Sequence, residues 1–484
     1  MFSNDIYKIN NKIWVDTPLK EIAAMFNIKE DHHVSYEHDQ QIPTQQAHAR
    51  YWSLEQQSGC LINHLSLCDE IFLGRDLSYS IAPWGHLLQW KENHLTLHPA
   101  GQRCRILSKA QQAMHKHNAD LFFERWYDWV HDELKQVLAE KEQNTHQNKK
   151  QNHSDQFHLY NALRKASLRV IARTICASFV GDVIDQIAVA LEEIDTAAAR
   201  LLYNGKGSRP AWFPGSENKR SQQGIKSLDA LIRPLIRKRL AGTDEDDLLS
   251  RWVNTEGEDG RHLNEDQIIS EAFCFLVMSY TSLPKLVFSA AYEMAQDQQA
   301  ELLRRLQREH DGIIEILTPP PGGFPPNTPL PQAPNNTSAN RTLPLHTIVG
   351  LEAMRLYPPA WYVTYHAGND AEIKELSIKQ GQHFWISPWV LHRNERRFRH
   401  AQRFWPQRWS GNLEAQLPKF AFSPFGLEEK PSLSETFCKE LIPRFLMVWF
   451  AHFEIIDASQ PLTWEMSLCL RPHNKVDWQA KISS

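Results

Sequence analysis

LEAMRLYPPAW, residues 351–361, is the stretch on which the fold turns. Glu352 and Arg355 stand three apart on a helical segment, close enough for their side chains to meet, and the Pro358–Pro359 pair stops the helix by removing backbone donors. A solitary pair of this kind usually decorates a solvated helix face and contributes little. Here it is followed by SPWVLHRNERRFRHAQRFWPQRW (387–409) and then by a phenylalanine–glycine turn, FSPFG (422–426), just before the final helix.

Upstream, from residue 104 to about 310, apolar residues recur at helical spacing, as in Leu121, Phe122, Trp126, Trp129, Val130, Leu134 and Leu138, so most of this half is expected to be helix. The polar stretch KEQNTHQNKKQNHSD (141–155) reads as a surface loop between two helices. YNGKGSRPAWFPGSENKR (203–220) holds turn signals before a helix from about 221 to 240. DEDDLLSRW (244–252) places acidic residues where a helix start favours them. The prolines of 318–345 preclude regular backbone pairing and predict an extended, solvated connector. Short alternating runs around Gly381 in EIKELSIKQGQHFWISP (372–388) mark a small sheet, and LTWEMSLCLRP (462–472) is strand-like. The fold class that follows is mainly α with small β-sheets, without internal repeats.

In 484 residues, 53 basic side chains stand against 57 acidic ones, a formal net charge of −4. That balance excludes a protein built to coat nucleic acid or anionic lipid, since both need a concentrated positive field. The seven cysteines are scattered with no Cys-x-x-Cys pair, so neither a disulfide framework nor a zinc module is indicated, and the compartment reads as reducing. The first residues, MFSNDIYKINNKIW, are polar, and the longest apolar runs, AFCFLVM (272–278) and FLMVWFA (445–451), are far short of a membrane span. A cytoplasmic protein with no membrane anchor is expected.

The ordered set of motifs resembles the haem-thiolate monooxygenases called cytochromes P450, and PAWFPGSENKR (210–220), DDLLS (246–250) and LNEDQIISEAFCFLVMSYTSLPKLVFSAAYEMA (263–295) match family segments without gaps. The resemblance covers most of the chain. It implies one domain with the cytochrome P450 fold over 1–484: an amino-terminal sheet and helix region (1–85), a helical half (86–310) with a long central helix at about 264–295, the Pro-rich insertion (318–345), and a last part (346–484) with the Glu-x-x-Arg helix, meander, ligand loop and final helix. It also implies an internal ion triad of Glu352, Arg355 and Arg403. Such a triad persists because breaking it leaves a buried charge unpaired.

The resemblance fails where the family places its chemistry. The family's ligand loop ends in Cys-x-Gly, and in FSPFGLEEKPSLSETF (422–437) the cysteine position holds Ser432, with Phe425 retained, Glu428 and Ser434 at glycine positions and Lys430 where an Arg reaches a haem propionate. On the central helix, the oxygen groove and proton relay map to Met278, Ser279, Tyr280, Thr281 and Ser282, so Thr281 takes the acid position and Ser282 the Thr position. Both are hydroxyls, and neither supplies the carboxyl that general-acid work near pH 7 uses. Trp90 and His94 fit the family's Trp-x-x-x-Arg helix, and Tyr365 or His366 falls at another propionate Arg. These residues would hold haem b, with Ser432 or water on the iron.

A serine hydroxyl lacks the electron push of a thiolate, so ordinary monooxygenation loses its usual support. Ser432 also suits a structural role, because Ser followed three residues later by Glu435 is a capping box. Cys438 lies six residues further along the helix, ~9 Å at 1.5 Å per residue. Two functions remain open. One is a haem-binding oxidoreductase acting on an apolar small molecule, fed by a redox partner protein when active, with impaired or redirected oxygen chemistry. The other is a non-catalytic descendant that binds a small ligand or a partner protein in the old pocket.

Overall fold

Helical periodicity in the middle of the chain becomes a stack of long helices in the computed structural model. The structure describes residues 29–34, 49–54, 57–62, 68, 71, 79–81, 119–151, 159–179, 181–204, 217–243, 245–254, 262–296, 299–317, 345–361, 363–373, 376–395, 397–427, 433–459, 462, 464–465, 469–472, 476 and 478–480. Its helices are α1 (Ala119–Gln151), α2 (Leu159–Ile175), α3 (Gly181–Asn204), α4 (Glu217–Leu240), α5 (Leu248–Val253), α6 (Glu265–Met294), α7 (Ala300–Leu317), α8 (Leu345–Leu356), α9 (Pro388–Leu391), α10 (Leu413–Gln416) and α11 (Leu433–His452). Residues 318–344 of the Pro-rich connector, Trp90, His94, Lys430 and Ser432 all lie outside the described residues.

The axis of the stack is α6. Asn264 caps it by accepting from the Gln267 amide, while the Gln267 side chain accepts from the Asn264 amide, a reciprocal capping box. Glu265 and Asp266 in the first turn suit the positive end of the helix dipole. From Ala272 to Met294 the described apolar side chains are buried, against α2, α4, α8 and α11. An all-round apolar helix belongs in an interior. Among the described residues α6 is the one helix long and apolar enough to cross a membrane, and its most apolar window is wholly buried inside the fold. It runs on through Pro284, which has no amide to offer the Tyr280 carbonyl.

One expectation is corrected here. Residues 141–151 are not a loop: α1 continues through them to Gln151. The segment is rich in Lys and Gln, good helix formers, and contains neither Gly nor Pro, so the helix outlasts the apolar pattern that announced it. Similarly, α4 opens at Glu217, four residues before its periodic part.

Strands β1 (Lys29–Val34), β2 (Ala49–Leu54), β3 (Gln57–Ile62), β4 (Tyr79–Ile81), β5 (Val363–Ala367) and, after the small hairpin of β6 (Ala371–Ile373) and β7 (Leu376–Ile378), β8 (His383–Ile386) form one sheet in the order β1-β2-β3-β8-β5-β4, with β6 and β7 paired apart from it. Only the β3–β8 pair is parallel; the others are antiparallel. Gly381 turns the chain into β8 at φ +77°, a conformation that costs glycine nothing. The carboxy-terminal region adds β9 (Phe453–Ile455), β10 (Trp464–Glu465), β11 (Arg471–Pro472) and β12 (Trp478–Ala480), paired β9–β12 and β10–β11. A second apolar core joins Tyr365, Ile373, Ile378 and Ile386 to Phe420, Ala421 and Leu427, which fastens the segment before α11 to the sheet.

Where α3 and α4 pack, Gly224 admits no side chain: a Cβ there would lie 2.6 Å from the Ala190 carbonyl oxygen and 2.8 Å from Ile194 Cγ1. Gly→Ala in an open helix stabilises by about 1 kcal/mol, but overpacking a close contact costs roughly 1–3 kcal/mol. Gly224→Ala is therefore expected to lower the urea unfolding midpoint; an unchanged or raised midpoint would show that the two helices separate without cost.

Candidate functional site

The chemistry of the carboxy-terminal half is organised by one buried carboxylate. Glu352 and Arg355 on α8 are both fully buried and meet in a fork, Arg355 Nε to Glu352 Oε2 at 2.9 Å and Nη2 to Oε1 at 2.8 Å. Glu352 also accepts from the Trp405 amide at 2.8 Å, from Arg408 Nε at 3.0 Å and from Trp409 Nε1 at 2.9 Å. Arg355 donates further to the carbonyls of His392 (2.9 Å), Ala401 (2.6 Å) and Arg403 (3.0 Å). A buried ion pair is tolerable only when its remaining lone pairs and hydrogens are satisfied in this way.

The third cation is Arg408, not Arg403. Arg403 exposes its side chain and enters the cluster through its carbonyl oxygen, which accepts from Arg355 and, at 3.3 Å, from Arg408. The cause is local backbone geometry. His400 adopts a left-handed φ of 55°, and the carbonyls of Arg399 and His400 receive the Arg408 guanidinium at 2.6 and 3.1 Å. A 3-10 turn over Pro406–Trp409 then sets Arg408 and Trp409 against Glu352.

From this cluster the order passes to the FSPFG turn. The Trp409 and Phe422 rings pack with centroids 4.7 Å apart, and His392 lies 5.3 Å from Phe422 on another side. His392 joins the parts directly: its Nδ1–H donates to the Arg355 carbonyl at 3.1 Å and its Nε2 accepts from the Ser423 amide at 2.9 Å. The Ala360 amide donates to Pro424 O at 2.9 Å, and the Tyr365 hydroxyl donates to Leu427 O at 3.2 Å. Gly426 closes the turn at φ +109°, with its Cβ position 3.3 Å from Val363 Cγ2, so a side chain there would be both strained and crowded. Phe425 is half-buried at the rim of the main core.

On α6 the two candidate hydroxyls differ. Thr281, buried, donates back to the Val277 carbonyl at 2.9 Å, so its proton serves the helix. Ser282 is fully buried and its hydroxyl has no hydrogen-bond partner, as is also true of Ser279 one turn earlier. Tyr280 faces away toward α2, where the Arg164 guanidinium lies 4.4 Å from its ring centroid. The helix thus holds unpartnered hydroxyls at 279 and 282, with no carboxyl bonded to them among the described residues. His366 is placed only as a residue of β5, opposite His383.

The architecture aligns with a retinoic-acid-bound cyanobacterial CYP120A1 at a TM-score of 0.67 over 90% of this chain and 91% of that one, at 15% identity, a likeness of fold alone. The family model described as Cytochrome P450 matches residues 48–427, well over half of the sequence. The chain belongs to the cytochrome P450 family. Among its relatives are a pentalenene oxygenase of Streptomyces avermitilis, 24% identical over 56% of this chain and 57% of that protein, and a cyclooctat-9-en-7-ol 5-monooxygenase of Streptomyces melanosporofaciens, 25% identical over 54% and 53%. A thromboxane-A synthase of Sus scrofa is 26% identical over 34% of this chain and 28% of its own length. The chain thus spans about half the length of the first two relatives and less of the third.

Sequence reasoning missed Arg408, Trp409 and His392. A signal for the first two was present in the Trp-Pro-Gln-Arg-Trp run (405–409), since Pro at the start of a 3-10 turn fixes where the next residues point. Removing one partner of a buried pair costs about 3–5 kcal/mol. Arg408→Ala should therefore cost several-fold more stability in chemical denaturation than Arg403→Ala, whose expected loss is under about 1 kcal/mol; equal losses would return Arg403 to the triad.

His392 gives the site a pH signature. Full burial, then the charge of Arg355, pulls its pKa down to about 3 from an ordinary 6.5. A base held neutral in the fold but free to protonate when unfolded stabilises the fold above pH ~6.5, and that contribution falls as pH drops toward 3, by about 1.4 kcal/mol per pH unit. His392→Asn should flatten the decline of Tm between pH 6 and 4; an unaltered slope would place the acid lability elsewhere.

Proposed function

We propose that this chain is a haem-binding oxidoreductase of P450 type that acts on an apolar small molecule, with an oxygen donor, Ser432 or water, in place of the family's cysteine thiolate and with oxygen chemistry redirected accordingly. The observation that carries this reading is the segment leading into α11: residues 427–432 read LEEKPS, without a cysteine, and the family match itself ends at Leu427. Cys438 does not substitute for it. It sits inside α11, fully buried, and burial pushes its thiol pKa far up, so it remains a protonated packing residue.

The residues present therefore do not fit a thiolate-held haem. When bound with a thiolate, the group supplies oxygen activation through electron donation from sulfur; a hydroxyl or water does not provide that push. Trp90, His94, His366 and Lys430 are the residues proposed to hold its propionates, as donors weaker than the guanidiniums they replace. The buried, unpartnered Ser282 hydroxyl is free to donate to a molecule bound beside α6, and its burial makes that bond more valuable than one in water. Thr281, already bonded to Val277, orients the turn of helix that presents Ser282. Two relatives take their names from small, largely hydrocarbon compounds, which supports an apolar ligand. Turnover would draw electrons from a redox partner protein.

A second reading is favoured by the committed Thr281 hydroxyl and the lack of a carboxyl at that turn: a non-catalytic descendant that binds a small ligand or a partner protein in the same pocket. An absorption spectrum of the reduced protein under carbon monoxide separates the two. The first reading expects a Soret band well to the blue of the thiolate type, moved to the thiolate position by Ser432→Cys. Absence of any Soret band selects the second; haem bound but unshifted by Ser432→Cys would show that position 432 does not face the iron.

A further inference from the structure

Three oxidisable rings meet beside the carboxy-terminal end of α6. Tyr357, the residue after α8, has its ring centroid 5.1 Å from that of Trp464 in β10 and 6.2 Å from that of Trp389 in α9, and the two indoles are 6.3 Å apart. At these separations aromatic rings are in contact, so an electron moves among them without a gap to cross. Trp464 is half-buried and reaches solvent, whereas Trp389 and Tyr357 belong to the interior. The Tyr357 amide donates to the Ala353 carbonyl at 2.8 Å, which fixes the ring to the end of α8.

A phenol becomes a strong acid when it loses an electron, so its hydrogen-bond partner decides whether it is easily oxidised. The Tyr357 hydroxyl donates to Glu293 Oε1, in the last turn of α6. Burial lifts the Glu293 pKa to about 6, which leaves it ionised at neutral pH yet a stronger base than an ordinary carboxylate. Burial also pushes the Tyr357 pKa well above its ordinary value, so the phenol keeps its proton until it is oxidised. Moving that proton to Glu293 leaves both groups neutral, the state that burial favours. The indole in the interior has no such relief: the Arg393 guanidinium, always charged, lies 3.6 Å from the Trp389 ring centroid, where a radical cation would meet a like charge. Other tyrosines are placed differently. Tyr292 and Tyr365 donate to the carbonyls of Ala458 (2.9 Å) and Leu427 (3.2 Å), bases too weak to keep a proton. Tyr127 meets a base, His310 Nε2 at 2.8 Å, but among the described residues its ring contacts are with imidazoles.

We infer that Tyr357 is a redox-active tyrosine, the site at which a one-electron oxidising equivalent entering through Trp464 comes to rest as a neutral phenoxyl radical, with its proton held by Glu293. The oxidant is an outer-sphere one-electron acceptor, and it is reduced by one electron. That electron leaves the Tyr357 ring by way of Trp464; the phenol O–H bond breaks, and the proton passes to Glu293 Oε1 along the existing hydrogen bond. An outer-sphere donor reverses the step: an electron returns through Trp464 and the proton returns from Glu293 to the phenoxyl oxygen. The step uses only side chains of this polypeptide and is independent of whether haem is bound.

The test generates tris(bipyridine)ruthenium(III) by a laser flash in a solution of the full chain and follows the products by electron paramagnetic resonance and infrared difference spectroscopy. The expected result is a tyrosyl radical, its hyperfine pattern collapsed by ring-deuterated tyrosine. In step with it a protonated-carboxyl band should appear, moved by carboxyl-labelled glutamate. Glu293→Gln, which keeps the shape but not the base, should slow tyrosyl formation by about a hundredfold, the lower end of what a positioned base contributes. Tyr357→Phe should abolish both signals, and Trp464→Phe should delay them. Indole radicals alone, no radical, or a tyrosyl signal without the glutamate carboxyl band overturns the inference, as does a tyrosyl signal that survives in Tyr357→Phe or an undelayed one in Trp464→Phe. The spectra of the unsubstituted chain decide it whether or not the variants fold.

Discussion

A carboxylate stripped of water must find its hydrogen bonds within the protein, and Glu352 finds five, from two guanidiniums, an indole and a backbone amide. Those bonds determine the path of the chain from 392 to 409, because each donor or acceptor must arrive from a different direction: His392, Ala401 and Arg403 by their carbonyls, Trp405 by its amide, Arg408 and Trp409 by their side chains. The meander has little regular secondary structure of its own. Its shape is set by the coordination demands of one buried charge.

The same cluster reaches the FSPFG turn by two routes that differ in kind. Trp409 transmits position by packing on Phe422, while His392 transmits it by a pair of directed hydrogen bonds between the α8 carboxy terminus and the Ser423 amide. Packing fixes distance and the imidazole fixes orientation. Together with Tyr365 and Ala360, they hold the approach to α11 as far as Leu427.

Legibility in the sequence followed the range of the interaction. The Glu352–Arg355 pair is local, three residues apart on one helix, and could be read directly; so could α6, whose apolar run lies within one segment. His392 was invisible because its partners are backbone atoms 37 and 31 residues away, and a backbone atom has no letter in the sequence. The choice between Arg403 and Arg408 depended on a left-handed residue at His400 and a 3-10 turn, which rotate the later arginine inward. The helical nature of 141–151 was missed for the opposite reason: apolar periodicity reports a buried face, and this end of α1 is polar throughout.

The anchors of the FSPFG turn are main-chain atoms, the Ser423 amide and the Pro424 and Leu427 carbonyls, so this hydrogen-bonded hold on the scaffold does not depend on which side chains those positions carry. Sequence drift at 423, 424 and 427 can therefore exchange the side chains presented there while the main-chain bonds to His392, Ala360 and Tyr365 persist.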